Sequence, residues 1–498
     1  VYDDPRGMSA YRAPGLLSVD ELLREGRERL QAEPGQAATL VGQAQPTDLA
    51  VLLHSSGTTG QPKGVPMTHA NVVSGVGNAH RGGYFREHEE HYAYLPTAWV
   101  GDFVFTLGAG VLLRFTINIP ERQETVLHDL REVEPTMYLA APRAWDNMLT
   151  RIQVGMQEST PLKRRLYDHF MPRAIALERK RLAGQPITWG ERLNRALAEI
   201  LVCAPLKDWL GLARAQRAYT GGEAMGEDTF VFFRALGINL KQFYGQTETA
   251  ALTTAQDDGS VKLHTVGRPM PGVELRLDDR GEIQVRSGSV FGGYYGDPQA
   301  SAAALEDGWL HTGDAGYLED DGSLVVLGRV SEVVRTAGGE RYVPNYIENR
   351  IKFSPYVRNV AVIGAQRPHL AAIVCIDLEA VGHWAEQRSL SYTSYAELSQ
   401  RPEVIALVGS VLRHVNSLLK PELSVRRFVN LHKDFDPDDG EITRTRKLRR
   451  NVIEERYATL IDALYGPAGT VDFEASITYE SGETGVLRRT LTLMDTGE

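Results

Sequence analysis

The feature that most constrains the fold is a loop rich in Gly, Ser and Thr, HSSGTTGQPKG at residues 54–64. It follows an apolar run at residues 49–53 that is typical of a buried strand. Small and hydroxylated residues leave backbone N–H groups free to face an anion, and Lys63 adds a positive charge. A Walker P-loop is ruled out, because it needs Gly-Lys followed by Ser or Thr, whereas Gly64 follows Lys63 here. The loop predicts a triphosphate cradle of another kind, with a plain strand-to-helix connection as the alternative.

Shorter motifs follow this loop along the chain. They are THAN at 68–71, TGGEA at 220–224, YGQTET at 244–249, GWLHTGD at 308–314, GR at 328–329, GGE at 338–340 and GEITRTRK at 440–447. In kind and order, these motifs resemble those of the adenylate-forming superfamily, which includes acyl-CoA synthetases, adenylation domains of peptide synthetases and luciferases. The resemblance covers residues 50–450, and the opening DPRG at 4–7 is similar to long-chain acyl-CoA synthetases.

The resemblance implies a binding site for ATP. Glycines would let the backbone approach the adenine closely, and an aromatic face could stack on it. A carboxylate could accept hydrogen bonds from both ribose hydroxyls. The residues implied are Ser55, Ser56, Thr58, Thr59 and Lys63 for the phosphates, Gly221, Gly222, Glu223, Tyr244 and Gly245 for the adenine, and Asp314 and Arg329 for the ribose.

The same resemblance implies how the reaction is catalysed. Glu248 would supply a hard oxygen ligand for the Mg²⁺ that accompanies ATP, with Thr59 as a second ligand. Thr247 would donate a hydrogen bond to the α-phosphate. Lys447 would stabilise the negative charge that gathers on the phosphate oxygens when a carboxylate attacks the α-phosphate. Lys447, Thr247 and Glu248 are therefore the predicted catalytic residues.

These residues also have plain structural explanations. YGQTET alone is compatible with a strand-end turn, and Asp314 with a helix cap or an Asx turn. Lys447 lies among five basic residues at 443–450, a pattern typical of a solvated face or of contact with an anionic surface. The order of the motifs favours the functional interpretation.

Two positions depart from the family pattern. Ser331 lies two residues after Arg329, where relatives commonly carry Asp or Lys as the hinge between domains. A hinge needs a tolerant backbone more than one chemistry, so Ser331 remains the expected hinge. Trp99 occupies the place where relatives often carry a His beside the substrate carboxylate. We expect Trp99 either to line the acyl pocket or to belong to the core.

Composition sets wider limits on function. The chain has 498 residues, 42% of them hydrophobic, which is enough for more than one buried core. A net charge of −10 gives no reason to expect attraction to nucleic acid. Cys203 and Cys375 are isolated, which disfavours disulfides or zinc and indicates a reducing, cytoplasmic setting. The apolar run at 103–113 ends at Arg114, too short to span a bilayer, so any membrane contact would be peripheral.

The pattern of predicted elements gives an α/β fold, the adenylate-forming enzyme fold with a large layered N-terminal domain and a small mobile α+β C-terminal domain. We predict helices at 19–32, within 161–217 with a break at 184–186, and from Pro402. We place the N-terminal AMP-binding domain at 1–329, the C-terminal domain at 330–466 and a β-hairpin tail at 467–498. The opening VYDDPRG lacks an initiator Met, so we expect an upstream segment of the first domain.

The resemblance implies an ATP-dependent acyl-CoA ligase. The enzyme would join a carboxylic acid, expected to be a long-chain fatty acid, to ATP and then to coenzyme A, releasing AMP and pyrophosphate. Three alternatives share the motifs: an acyl-AMP ligase that loads a carrier protein, an aryl-acid CoA ligase, and a non-catalytic member of the fold.

Overall fold

A computed structural model describes residues 15–55, 62–223, 225–436, 439–442, 448–478 and 484–497. The predicted residues Ser56, Thr58, Thr59 and Lys447 lie outside these ranges. The chain begins with helices α1 (Val19–Ala32) and α2 (Gln36–Gln43), so the helix predicted at 19–32 is confirmed. Ser18 starts α1 with a capping box, in which its hydroxyl accepts from the backbone N–H of Glu21 and the Glu21 carboxylate reaches back.

Among the described residues, seven strands form the first large sheet, in the order β4-β3-β5-β6-β7-β8-β9. The first five strands of that order are parallel, and β8 and β9 join antiparallel. The hairpin formed by β1 and β2 precedes the sheet. The strands are β1 (Leu49–His54), β2 (Gly64–Thr68), β3 (Glu90–Tyr92), β4 (Thr116–Asn118), β5 (Met137–Leu139), β6 (Arg217–Thr220), β7 (Leu240–Tyr244), β8 (Thr254–Ala255) and β9 (Arg268–Pro269).

Helices pack around this sheet, and the predicted break in the Arg-rich region falls between α8 and α9. The helices are α3 (His69–Arg81), α4 (Val100–Asp102), α5 (Ala109–Leu112), α6 (Val126–Val133), α7 (Pro142–Gln157), α8 (Pro161–Leu182), α9 (Trp189–Ala198), α10 (Ala204–Leu210) and α11 (Glu227–Ala235). A later helix, α12 (Pro298–Ala304), packs instead against residues 305–318 of the next sheet. Two π-helical segments, Phe103–Gly108 and Glu199–Cys203, interrupt the series. Such segments are rare and often lie at functional sites.

A second, antiparallel sheet follows and carries the predicted ribose ligand on its central strand. Its described strands are β10 (Val273–Leu277), β11 (Glu282–Ser287), β12 (Leu305–Glu306), β13 (Trp309–Leu318) and β14 (Leu324–Arg329). The path is β10-β11-β13-β12, and β14 also pairs with β13. Asp314 on β13 is the direct register partner of Arg329 on β14. Two residues that the motifs separate are therefore neighbours across one strand pair.

The C-terminal part begins with a short hairpin and continues as a sheet in the order β17-β18-β19-β21-β20. Because β21 pairs with β19, the predicted tail hairpin extends this sheet instead of standing apart from it. The strands are β15 (Val334–Arg335), β16 (Arg341–Tyr342), β17 (Val357–Ile363), β18 (Leu370–Ile376), β19 (Val425–Asn430), β20 (Thr470–Thr478) and β21 (Thr484–Asp495). The helices are α13 (Pro344–Lys352), α14 (Leu378–Glu386), α15 (Tyr395–Ser399), α16 (Pro402–Asn416), α17 (Arg450–Arg456) and α18 (Ala458–Tyr465).

The architecture is α/β, as predicted, with strands of the first sheet buried on both faces. Residues of β5 and β6 are buried throughout, as expected for parallel strands between helical layers. In the part of the chain that the structure describes, no helix is long and apolar enough to cross a membrane. The domain boundaries at 329 and 466 stay predictions.

Candidate nucleotide site

The β1–β2 hairpin closes the base of the Gly/Ser/Thr-rich loop. His54 pairs with Gly64, and the N–H of Ser55 donates to the carbonyl oxygen of Lys63 at 2.9 Å. Residues 56–61 lie outside the described residues. Lys63 is exposed, and its Nζ lies 4.7 Å from the ring centroid of Tyr294. The positive charge predicted to face phosphate therefore rests on an aromatic ring from another part of the chain.

The segments predicted to contact adenine follow neighbouring parallel strands. Gly221 comes directly after β6, Tyr244 ends β7, and Thr220 pairs with Gln242 between them. In open α/β sheets, ligands bind in the crevice beyond the carboxyl ends of such strands. The fold therefore brings these two predicted segments to the edge where a nucleotide is expected.

The two glycines at the ends of these strands are explained by packing. A Cβ on Gly221 would lie 2.8 Å from the ring of Phe243, and a Cβ on Gly245 would lie 1.9 Å from the carbonyl oxygen of Ala251. Both positions therefore require glycine, whatever the ligand. Glu223 is exposed, and its carboxylate lies 4.0 Å from Nε of Arg143.

Trp99 lies close to the same edge. The residue is half-buried and packs against the core of the first sheet. A Cβ on Gly222 would lie 3.8 Å from Cζ2 of Trp99, so the indole borders the predicted adenine segment. The π-helical segment Phe103–Gly108 starts one turn later. This location is compatible with both expectations for Trp99, the acyl pocket and the core.

Asp314 is the centre of a hydrogen-bond network. Its Oδ2 accepts from the Tyr244 hydroxyl at 2.8 Å and from Nε2 of Gln246 at 2.5 Å. Its Oδ1 lies 3.3 Å from Nη1 of Arg329. The N–H of Asp314 donates to the Thr312 hydroxyl at 3.1 Å, which fixes the backbone of the strand at this point. The predicted residues Tyr244 and Arg329 thus both contact Asp314.

The electrostatic balance at Asp314 is set mainly by burial. The residue is 9% exposed, and burial raises the pKa of its carboxyl above the ordinary Asp value. The Arg329 charge and the hydrogen bonds from Tyr244 and Gln246 lower the pKa and offset only part of that effect. The ionised carboxylate is therefore less favourable here than in water.

Glu248 lies in a 3₁₀ turn, Thr247–Thr249, directly after β7 and Gln246. It is 8% exposed, and its Oε1 accepts from the Tyr294 hydroxyl at 2.9 Å. Burial first, and then the Glu248 charge and hydrogen bond, raise the pKa of Tyr294, so that its hydroxyl stays a donor. Thr247, the predicted α-phosphate donor, is half-buried in the same turn.

Lys447 itself lies outside the described residues, but both ends of its segment are held together. Ile442 and Leu448 form an isolated antiparallel bridge, and the N–H of Arg449 donates to the carbonyl oxygen of Glu441 at 2.8 Å. The described residues on either side of 443–447 therefore form one fixed base.

The Glu441 carboxylate anchors that base from the core. Glu441 is fully buried. Its oxygens accept from Nζ of Lys433 at 2.9 Å, Nη1 of Arg456 at 3.1 Å, the Tyr457 hydroxyl at 2.7 Å and the N–H of Asp436 at 3.0 Å. A buried carboxylate is stable only when paired and hydrogen-bonded in this way.

Ser331, the predicted hinge, is exposed in a 3₁₀ turn, Val330–Glu332, that directly follows Arg329. Contacts beyond the turn join the parts on either side. Nη1 of Arg341 donates to the carbonyl oxygen of Asp279 at 2.6 Å, and Nε2 of His414 lies 3.5 Å from the carboxylate of Glu227. Apolar groups also meet between these parts, since a Cβ on Gly226 would lie 3.2 Å from the Phe353 ring. The role of Ser331 as a hinge stays a prediction.

Two residues of this site were missed by the sequence analysis. Gln246 is inside the YGQTET motif, and only its position there could have pointed to Asp314. Tyr294 lies in FGGYYG at 291–296, outside every motif considered. The two glycines before the tyrosine pair were the only hint in the sequence, because glycine often marks an unusual backbone conformation. Gly293 indeed has a φ of +130°, in the region that favours glycine.

Comparisons with known proteins identify the class. The AMP-binding enzyme family matches residues 11–295, and the AMP-binding enzyme C-terminal domain matches residues 331–468. The chain therefore belongs to the AMP-binding enzymes, and the predicted adenylate-forming superfamily is confirmed. The predicted enzyme class, an AMP-forming acid–thiol ligase, is confirmed as well.

Known long-chain-fatty-acid–CoA ligases are similar to this chain over most of its length. The long-chain-fatty-acid–CoA ligase FadD15 of Mycobacterium bovis is 30% identical over 468 residues, covering 91% of this chain and 74% of the relative. The long-chain-fatty-acid–CoA ligase ACSBG1 of Homo sapiens is 28% identical over 498 residues, covering 93% of this chain and 67% of the relative. The solved O-succinylbenzoate coenzyme A synthetase of Bacillus subtilis, in complex with ATP and magnesium ion, matches with a TM-score of 0.53. At 20% identity, covering 82% of this chain and 70% of that chain, it shows the fold alone.

Proposed function

We propose that the chain activates a long-chain fatty acid with ATP and transfers the acyl group to coenzyme A, releasing AMP and pyrophosphate. One observation carries the assignment of the site. The end of β7 presents Tyr244 to Asp314 and, four positions later, Glu248 to Tyr294. A nucleotide along this strand end would meet a carboxylate for its ribose at one side and a metal ligand at the other. The names of the relatives support the choice of acid and of acceptor.

The donor atoms fit Mg²⁺ and ATP. Glu248 offers a hard carboxylate oxygen, because Oε1 is held by Tyr294 while Oε2 accepts no hydrogen bond from the described residues. Thr59, the second expected metal ligand, belongs to the loop that Lys63 ends. Mg²⁺, when bound, would neutralise charge on the phosphate oxygens.

The fit at the ribose is more restricted than the sequence predicts. Oδ2 of Asp314 already accepts two hydrogen bonds, from Tyr244 and Gln246, so only Oδ1 has room for a ribose hydroxyl. A second ribose hydroxyl would have to replace one of the two donors. We therefore assign one direct hydroxyl contact to Asp314, with Arg329 beside it.

The protein's part in adenylation is electrostatic. The fatty-acid carboxylate attacks the α-phosphorus, the bond to the bridging oxygen breaks, and pyrophosphate leaves. Lys63, the Thr247 hydroxyl and Lys447 stabilise the charge on the phosphate oxygens during this step. In the second step the thiolate of coenzyme A attacks the acyl carbon and AMP leaves. Rotation of the C-terminal part about Ser331 would exchange Lys447 for residues 338–340 between the two steps.

The first experiment measures ATP–pyrophosphate exchange with a panel of acids, followed by thioester formation with and without coenzyme A. The proposal predicts exchange with long-chain fatty acids, AMP and pyrophosphate as products, and thioester only when coenzyme A is present. ADP as product would refute the superfamily chemistry. A higher kcat/KM for an aryl acid, or transfer only to a carrier protein, would select one of the alternatives.

The second experiment assigns Lys447. Lys447→Ala should slow adenylation by about 10²–10³-fold, the usual loss for one electrostatic group. Given a pre-made acyl-adenylate, the variant should form the thioester at close to the parent rate. Arg449→Ala is the matched control, since it removes a charge from the same cluster. An equal loss of adenylation rate in both variants would mean that Lys447 is only one charge of a basic surface.

A further inference from the structure

Tyr294 connects two predicted ligands of the triphosphate that come from distant parts of the chain. Its hydroxyl donates to Oε1 of Glu248 at 2.9 Å, and its ring lies 4.7 Å from Nζ of Lys63. The hydroxyl and the ring face act on different partners, so one side chain holds a carboxylate at its tip and an ammonium group over its face. No motif of the sequence predicts this arrangement.

The backbone around Tyr294 is fixed on both sides of the site. The N–H of Phe291 donates to the carbonyl oxygen of Glu248 at 3.0 Å, and the N–H of Tyr295 donates to the carbonyl oxygen of Gly64 at 2.9 Å. The N–H of Tyr294 itself donates to the Ser301 hydroxyl at 2.8 Å. Residues 291–295 are therefore attached both to the turn of Glu248 and to the base of the loop of Lys63.

We infer that Tyr294 is a positioning residue that aligns the carboxylate of Glu248 for Mg²⁺ and holds the Lys63 ammonium beside it before the triphosphate arrives. The inference rests on the proposed function. A carboxylate with one oxygen held by a hydrogen-bond donor presents the other oxygen in a fixed direction. The ring face attracts the ammonium group weakly, so phosphate oxygens can take over Lys63 when they bind.

The two contacts can be separated by substitution. Tyr294→Phe removes the hydroxyl and keeps the ring, so it should raise the half-saturating Mg²⁺ concentration about tenfold, as expected for a lost hydrogen bond to a charged group. Tyr294→Leu removes both contacts and should also raise KM for ATP at saturating Mg²⁺. Tyr295→Phe is the matched control, because Tyr295 is 69% exposed and keeps the same backbone contact with Gly64.

The decisive readout is independent of turnover. Binding of Mn²⁺ in the presence of ATP, followed by electron paramagnetic resonance, should weaken in Tyr294→Phe and not in Tyr295→Phe. In a Glu248→Gln background, Tyr294→Phe should have no further effect on the metal. Thermal unfolding is measured in parallel. A lower Tm with unchanged metal binding, or equal shifts in the two Tyr→Phe variants, would overturn the inference and make Tyr294 a packing residue. Absence of metal-dependent ATP binding in the parent enzyme would instead contradict the proposed function.

Discussion

Replacement of Asp314 by Asn should separate binding of the ribose from stability of the fold. The side chain keeps its shape, and its oxygen can still accept from the Tyr244 hydroxyl, which lies 2.8 Å from Oδ2. What is lost is the negative charge opposite Arg329 at 3.3 Å. Because burial raises the pKa of Asp314, the ionised carboxylate costs free energy in the folded protein at neutral pH. Removal of the charge should therefore leave the free energy of unfolding unchanged or slightly higher.

The cost should appear in ATP binding. A hydrogen bond to a charged acceptor contributes about 1.5–3 kcal/mol, so losing the charge-assisted contact with ribose should weaken ATP binding about ten- to a hundredfold. Calorimetric titration with ATP and with 2′,3′-dideoxy-ATP measures this contribution. The parent enzyme should discriminate strongly between the two nucleotides, and Asp314→Asn should discriminate weakly.

The comparison of stability and binding decides the role of Asp314. If Asp314 had only a structural role, the variant would give the opposite result, a lower Tm with unchanged discrimination between the two nucleotides. That outcome would refute the reasoning, because it would mean that the carboxylate stabilises the β13–β14 pair and not the nucleotide. An unchanged or slightly higher Tm together with weaker discrimination is the expected result, because the carboxylate would then serve nucleotide binding at a cost in stability.

Three further predictions follow from the contacts. ATP affinity should fall as the pH falls through the pKa of Asp314, which burial raises above the ordinary Asp value, although protonation of the same carboxyl stabilises the fold. Calorimetric titration with ATP across pH measures this dependence, and Asp314→Asn should abolish it. Glu441→Gln should reduce the hydrogen-exchange protection of β19 and α18 by about 3–5 kcal/mol, because Lys433, Arg456 and Tyr457 lose a charged partner. Glu455→Gln is the control, since Glu455 is exposed. Gly221→Ala should lower the free energy of unfolding by about 1–3 kcal/mol in chemical denaturation, because the new Cβ would lie 2.8 Å from the Phe243 ring. Gly155→Ala is the control and should not destabilise the protein, because a Cβ there would have nothing within 4 Å.

Local patterns predicted the elements better than their assembly. The helix at 19–32 was predictable because cap and periodicity lie within one stretch, and the break near 184–186 because Gly and Pro mark it. The tail hairpin was predicted from alternation, but its pairing with β19 was not, since strand pairing depends on residues far apart in sequence. The π-helical segment Phe103–Gly108 was read only as an apolar run, because periodicity does not distinguish such segments.

The site shows the same division. Motifs pointed to Tyr244, Glu248, Asp314 and Arg329, since each motif is a short stretch with its own chemistry. The partners that hold them were not predicted, because Tyr294 is 46 positions from Glu248 and Gln246 is 68 positions from Asp314. Only the fold brings these residues together.

The ribose network also joins the two sheets of the N-terminal part. Tyr244 ends β7 of the first sheet and Asp314 lies on β13 of the second, so their hydrogen bond crosses from one sheet to the other. A ribose hydroxyl placed at Oδ1 of Asp314 would add a contact at the same junction. ATP binding should therefore stabilise the junction of the two sheets, and not one sheet alone, because a ligand stabilises the state in which all its contacts are assembled. The position of Arg329, opposite Asp314 and directly before the Ser331 turn, extends this coupling to the C-terminal part. We therefore expect occupancy of the ribose site to be coupled to the orientation of the C-terminal part through the β13–β14 pair.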